Sequence, residues 1–290
     1  LMVATDSSPE MEKAVEALHE KYPFGEWEYL IKNKKVTYTG RDVILSGQEL
    51  HLCQEAFVKG RMEEIKVPKE KNRPGSDPCR PEEHAEYRSG TGNLHWVTSQ
   101  TRPDHAVDTS RLQKKQNQPT YDDLKDLVKI IKEVKKTAST RLKIKPIRNP
   151  CIGAYTDSSL YGVEGEILGD SDLEGYDKHK IHSQAGSLIV LMSKDQLDDV
   201  GDVHFSVGDW RTGASRRVFH ATFAAEANAA AQTMGLAVYY RAYYCEVLCG
   251  GSMGMDPDEY GEEQLEIKLF TDCKSVFDHL KKDGSVPEDK

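Results

Sequence analysis

Two apolar runs in the carboxy-terminal half of the chain, 152–157 (Ile-Gly-Ala-Tyr-Thr-Asp) and 265–272 (Leu-Glu-Ile-Lys-Leu-Phe-Thr-Asp), end in Thr-Asp followed by small or polar residues. Between them, Glu226 falls in the first turns of an alanine-rich segment. If the two runs are neighbouring strands, Asp157 and Asp272 meet at the same end of a sheet. The small residues beside Glu226 (Ala224, Ala225, Ala227, Ala229) let its helix approach that sheet closely and aim a third carboxylate at the other two. Three such groups repel one another unless divalent cations neutralise them, and hard oxygen ligands favour magnesium, with manganese as a substitute. Alone, each residue is ordinary. An aspartate after a strand is commonly a turn or cap residue, and a glutamate in a first helical turn complements the helix dipole. Their occurrence together, in the order Asp, Glu, Asp on strand, helix and strand, marks them as candidate metal ligands and catalytic residues.

The elements that must position these acids follow from the hydrophobic pattern. Strands are expected at 152–157, 186–193, 203–210 and 265–272, a long helix at 223–248 and a short one at 275–282. This order gives a mixed sheet with a helix packed on it, an α/β (α+β) fold. Polar insertions are expected at 163–182 and 249–263; the first, with Asp170, Asp172, Glu174 and Asp177, reads as a solvated loop rather than a calcium site, with His179 and His182 on its surface. In the amino-terminal half, 11–20 reads as a helix, and 22–27 together with the alternating run 35–45 as two short strands and a turn. Residues 51–61 read as helical, the proline-rich 67–81 as a loop, and 82–110 as helix interrupted at Arg102-Pro103-Asp104. Tyr121-Asp122-Asp123-Leu124 looks superficially like a polymerase metal motif. Thr120 before two acids, then Leu124, Leu127, Val128, Ile131 and Val134 at helical intervals, describes instead a capped amphipathic helix. A basic linker is expected at 140–150.

The net charge of −9 hides a division. Up to Pro150 there are 27 basic and 23 acidic residues; from Cys151 there are 12 and 25. The basic surplus lies in Arg111–Arg148, and it makes Lys129, Lys132, Lys135, Lys136, Arg141, Lys143 and Lys145 candidates for contact with a phosphate backbone. A solvated helix face followed by a basic linker explains the same residues equally well. No apolar window approaches the roughly eighteen residues of a membrane span. Six scattered cysteines without a Cys-x-x-Cys pair fit a reducing, intracellular setting, cytoplasmic or nuclear. Cys245 and Cys249 read as a half-buried helix edge. With no signal peptide and a first residue of Leu1, the chain is expected to be a piece of something longer.

The resemblance that these residues carry is specific. Tyr155-Thr156-Asp157-Ser158-Ser159, the run from Arg216 to Glu226, and Phe270-Thr271-Asp272-Cys273-Lys274 resemble the three acidic segments of ribonuclease H domains in copia-type retrotransposon Pol polyproteins. Upstream, the stretch from Ser89 to Asp104 is similar to the segment joining polymerase to ribonuclease H. Gln54-Glu55-Ala56-Phe57-Val58 is similar to an element following the polymerase palm. The resemblance implies three parts: a palm and thumb remnant at 1–66, a helical, basic thumb or connection at 67–148, and a ribonuclease H-like domain at 149–290. It also implies two-metal hydrolysis of the RNA strand of an RNA–DNA hybrid, in an intracellular virus-like particle or the nucleus, with the rest of the polyprotein as partner. Asp157 would touch both ions, and Glu226 and Asp272 would complete the shell. The polymerase aspartates are expected upstream of Leu1, and a final strand, helix and fourth carboxylate beyond Lys290. Asp278, Asp283 and Asp289 follow Asp272 too closely to replace that acid. A transposase or integrase core would place its helical glutamate last, against the order seen here. A degenerate or host-adopted binding module without catalysis remains the alternative.

Overall fold

The computed structural model describes residues 8–22, 24–68, 70, 72–161, 167–168, 182–196, 203–215, 219, 221–249 and 265–282. Helix α1 (Pro9–Lys21) starts as its sequence dictates, with Ser8 accepting the Met11 N–H at 3.3 Å and Pro9 in the first turn. After α2 (Leu30–Asn33), strands β1 (Lys35–Tyr38) and β2 (Arg41–Ser46) form a hairpin. Its two-residue turn needs positive φ at both positions, and Thr39 and Gly40 adopt 46° and 76°. β3 (Glu49–Cys53) pairs with β2, and α3 (Glu55–Gly60) follows.

The next part is helical. α4 (Pro81–Thr98), a 3₁₀ turn at Pro103–His105, α5 (Ala106–Lys114) and α6 (Tyr121–Lys136) bury Tyr87, Leu94, Val97, Leu112, Leu124, Leu127, Ile131 and Val134 in one core. The buried stripe of α6 has the expected helical spacing. Gly90 gives a close approach where α4 meets α6: a Cβ there would lie 2.7 Å from Ile65 Cδ1 and 3.0 Å from Leu127 Cδ2, and those side-chain ends would have to shift. β4 (Leu142–Ile144) then returns to β3 and completes a four-stranded antiparallel sheet in the order β1-β2-β3-β4.

The second sheet carries the acids. β5 (Pro150–Tyr161), β7 (His182–Ser193) and β8 (Phe205–Ala214) pair antiparallel, and β9 (Ile267–Phe270) lies parallel to β5 on its other edge. The short β6 (Ile167–Leu168) pairs with the end of β5 on the edge that β7 leaves free. Helix α7 (Thr222–Cys249) crosses one face, packing Leu236, Ala237 and Cys245 on Ile152, Ala154 and Ile189; α8 (Lys274–Leu280) closes the order. The expected α/β class and the sequence strand, strand, strand, helix, strand, helix are both present. The helical part is tied to this sheet. Trp210 Nε1 donates to Thr98 O at 2.8 Å, Gln184 Nε2 donates to Ser110 Oγ at 3.2 Å, and Ser206 Oγ bonds both the N–H and the C=O of Lys145.

Three expectations need correction. The segment expected to be helical at 51–61 begins as strand: His51 and Cys53 are buried on alternate positions of β3, and helix starts only at Glu55. The expected linker at 140–150 contains β4, because Leu142-Lys143-Ile144 alternates and matches Leu50–Leu52 in register. Asp157 does not end its strand. Ser158 and Leu160 keep the buried alternation, so β5 runs on to Tyr161. The readings of Asp170, Asp172, Glu174, Asp177 and His179, and of 250–263, lie outside the described residues, as do the side chains of His182 and Cys249. Cys245 is buried in the core under α7. Among the described residues, no helix is long and apolar enough to cross a membrane.

Candidate metal centre

Parallel pairing sets the first two acids. Tyr155 stands opposite Phe270 in the β5–β9 register, so two residues further along each chain Asp157 and Asp272 reach the same level. Asp157 is still within β5; Asp272 lies in the turn between β9 and α8, where Thr271 Oγ1 accepts the Cys273 N–H at 3.1 Å. β9 covers β5 from Ile152 to Tyr155, and β6 covers it from Leu160 to Tyr161. Between them no described strand pairs with β5, and the site lies at that level.

Glu226 reaches it from α7. Its neighbours Ala225, Ala229 and Ala230 are buried, and their small side chains let the helix sit low on the sheet. Glu226 Oε1 accepts the Ser158 N–H at 3.3 Å. That donor is available because Ile152 N–H already points to β9, bonding Glu266 O, and residues two apart along a strand share a direction. Ser158 is the contributor that residue types could not reveal, since it acts through its backbone. The other oxygen, Glu226 Oε2, is buried without a hydrogen-bond partner. One oxygen from each of Asp157, Glu226 and Asp272 lies within 4.8 Å of the others, Glu226 buried and the two aspartates exposed.

The electrostatics match the geometry. Burial pushes the Glu226 carboxyl up to about 7, and the negative charges of Asp157 and Asp272 add to this, while the Ser158 N–H opposes it. A buried carboxylate oxygen without a donor, facing two further carboxylates, lacks what a divalent cation supplies. The donor set is all oxygen, which suits a hard ion. The three residues can therefore hold a metal. Among the described residues no further acid, histidine or cysteine joins them. Asp278 is exposed on α8 outside the group; Asp283 and Asp289 lie outside the described residues.

No family model, curated protein or solved structure matches the chain.

The remaining sequence candidates divide. Asp123 is a helix cap: it accepts the Thr120 N–H at 2.8 Å, and Lys115 pairs with it at 2.6 Å. Asp122 pairs with Lys125. These bonds account for both acids without a metal. Lys129, Lys132 and Lys136 are exposed on α6 and, with Lys125, line a groove of about 440 Å³ floored by Val67 and Val128. Lys135 is half-buried and lies outside that groove. Arg141 and Lys143 are exposed beyond α6, and Lys145 is half-buried, 3.6 Å from Glu49. The structure thus gathers three of the seven basic candidates on one surface.

Proposed function

We propose that the chain is a metal-dependent nuclease of the ribonuclease H type, from the Pol polyprotein of a copia-type retrotransposon, acting on the RNA strand of an RNA–DNA hybrid. The observation that carries this reading is the Asp157–Glu226–Asp272 cluster beside β5, with the buried Glu226 Oε2 without a hydrogen-bond partner. Three antiparallel strands, a crossing helix and a parallel fourth strand agree with the fold that the resemblance implies. Magnesium, or manganese in its place, would activate water and stabilise the departing sugar oxygen. The chain's own part is positional. Asp157 and Asp272 present their oxygens to solvent, where a phosphodiester can approach, and Ser158 N–H fixes the direction of Glu226. Selectivity for a hybrid would rest on duplex shape and the ribose 2′-hydroxyl rather than on base edges. An intracellular setting and the remainder of the polyprotein as partner belong to the same proposal.

A labelled RNA–DNA hybrid tests it. The chain should cut the RNA strand weakly, faster in manganese than in magnesium, and spare a DNA–DNA duplex. A second reading, a binding module without catalysis, is favoured by the three rather than four carboxylates among the described residues. Metal-independent hybrid binding without cleavage in either ion would establish that reading instead.

The α6 surface gives a separate expectation. Each lysine that displaces a counterion from a phosphate steepens the fall of log K with log salt by about 0.9 for a duplex. Replacing Lys129, Lys132 and Lys136 by Gln should flatten that slope by about two to three in anisotropy titrations, whereas Lys135→Gln should change it little. Equal slopes for the triple variant and the parent would leave the stripe as a solvated face.

A further inference from the structure

Helix α1 is amphipathic yet buries none of its residues. Met11, Val15 and Leu18, at intervals of four and three, form an apolar stripe that is only half-covered. The chain beyond the helix folds back on its last turn, where the ring of His19 lies 4.7 Å from that of Trp27. A stripe of this kind ordinarily rests on a core, and among the described residues this one has no core beneath it. Glu12, Glu16 and Glu20, four apart and all exposed, make an acidic ridge along one side of the helix. Glu10 adds a further charge in its first turn.

The complementary surface is on α6. Its groove of about 440 Å³ has an apolar floor, Val67 and Val128, and a wall of Lys125, Lys129, Lys132 and Lys136, with Glu133 the one acid among the lining residues. The lysines recur at intervals of four, three and four, so they share one face of α6 and extend along it for about 16 Å at 1.5 Å per residue. By the same rise α1 is about 20 Å long. An acidic helix with an apolar stripe therefore matches the groove in length, apolar character and charge. No residue of α1 lines the groove of its own chain.

We infer that the α6 groove receives helix α1 of a second copy of the chain. The apolar stripe lies on Val67 and Val128, and the glutamate ridge faces the lysine wall. Each copy offers one helix and one groove, so two chains related by a two-fold axis make the contact twice and leave neither surface open. The inference does not rest on the nuclease reading. It shares Lys129, Lys132 and Lys136 with the phosphate contacts of α6, so a nucleic acid and α1 compete for the groove.

Sedimentation velocity on the full chain should show a monomer–dimer equilibrium that weakens as salt is raised. Glu12→Lys with Glu16→Lys, and separately Lys129→Glu with Lys132→Glu, should each weaken association about tenfold or more, since like charges then face each other. All four positions are exposed, so both variants should keep the fold, which circular dichroism checks. Mixed in equal amounts, the two variants should associate again. The unaltered helix of one meets the unaltered groove of the other, and the reversed helix meets the reversed groove. Met11→Asp with Leu18→Asp should abolish association, alone and in either mixture. A parent that stays monomeric at every concentration would overturn the inference, as would a dimer that survives both charge reversals. Charge-reversed variants that stay apart when mixed would overturn the pairing of this helix with this groove. A monomeric parent whose hybrid binding falls in the lysine variant alone would assign the groove to nucleic acid instead.

Discussion

Asp157→Asn should abolish tight magnesium or manganese binding in calorimetric titrations while leaving the fold intact. Asparagine keeps the volume and one carbonyl oxygen, but it removes the charge that makes Asp157 a ligand for a hard cation. The residue is exposed, and β5 is held by backbone pairing to β7, so the substitution disturbs no packing. Cleavage of the hybrid should fall by at least 10² to 10³, on the scale of losing one preorganised group that stabilises the transition state. Metal-free melting should be unchanged or slightly raised, because one of three repelling charges is gone. Asp272→Asn should behave alike, since both aspartates stand at the same level of the parallel pair. Undiminished metal affinity in both variants would show that the cluster is not the metal centre.

Much of this site was legible because its signals are local. Strand period and the Thr-Asp endings marked Asp157 and Asp272, and the small residues around Glu226 announced a helix lying close to a sheet. The capping box at Thr120 separated Asp122 and Asp123 from a metal motif, because the cap residue, the two acids and the apolar stripe are all within one short window. Non-local features escaped. β4 is three residues long and exists because β3 offers an edge, so Leu142–Ile144 looks like a linker until its partner is known. His51–Cys53 is strand because β2 lies beside it, a partner that the local sequence does not show. The continuation of β5 past Asp157 depends on β7 as its partner, whereas Ser158-Ser159 by themselves suggest a turn. The basic stretch is a different case. Composition counted seven cations, but helix geometry and the excursion through β4 distribute them over several surfaces.

The pH dependence of metal-free stability should be set by Glu226. Burial, reinforced by the charge of Asp157, raises its carboxyl from 4.5 to about 7 in the folded chain. Because the folded value lies above the unfolded one, the contribution is fully present below about pH 4.5 and is lost as pH rises through 7. Over that window the metal-free protein should lose on the order of 3 kcal/mol, since each pH unit between the two values corresponds to about 1.4 kcal/mol. Glu226→Gln cannot ionise, and its carbonyl can still accept the Ser158 N–H. In EDTA it should therefore melt at a similar temperature to the parent at pH 5 and clearly above it at pH 8. Magnesium should reverse the order at pH 8. The ion requires the deprotonated carboxylate, so the parent gains stability on binding and the variant gains little. Denaturant melts of both proteins at the two pH values, with EDTA and with magnesium, measure all four corners. Parallel pH profiles for parent and variant in EDTA would mean that Glu226 ionises normally. Its buried oxygen would then be satisfied by something other than a cation, and the metal assignment would lose its electrostatic support even if the three acids remain together.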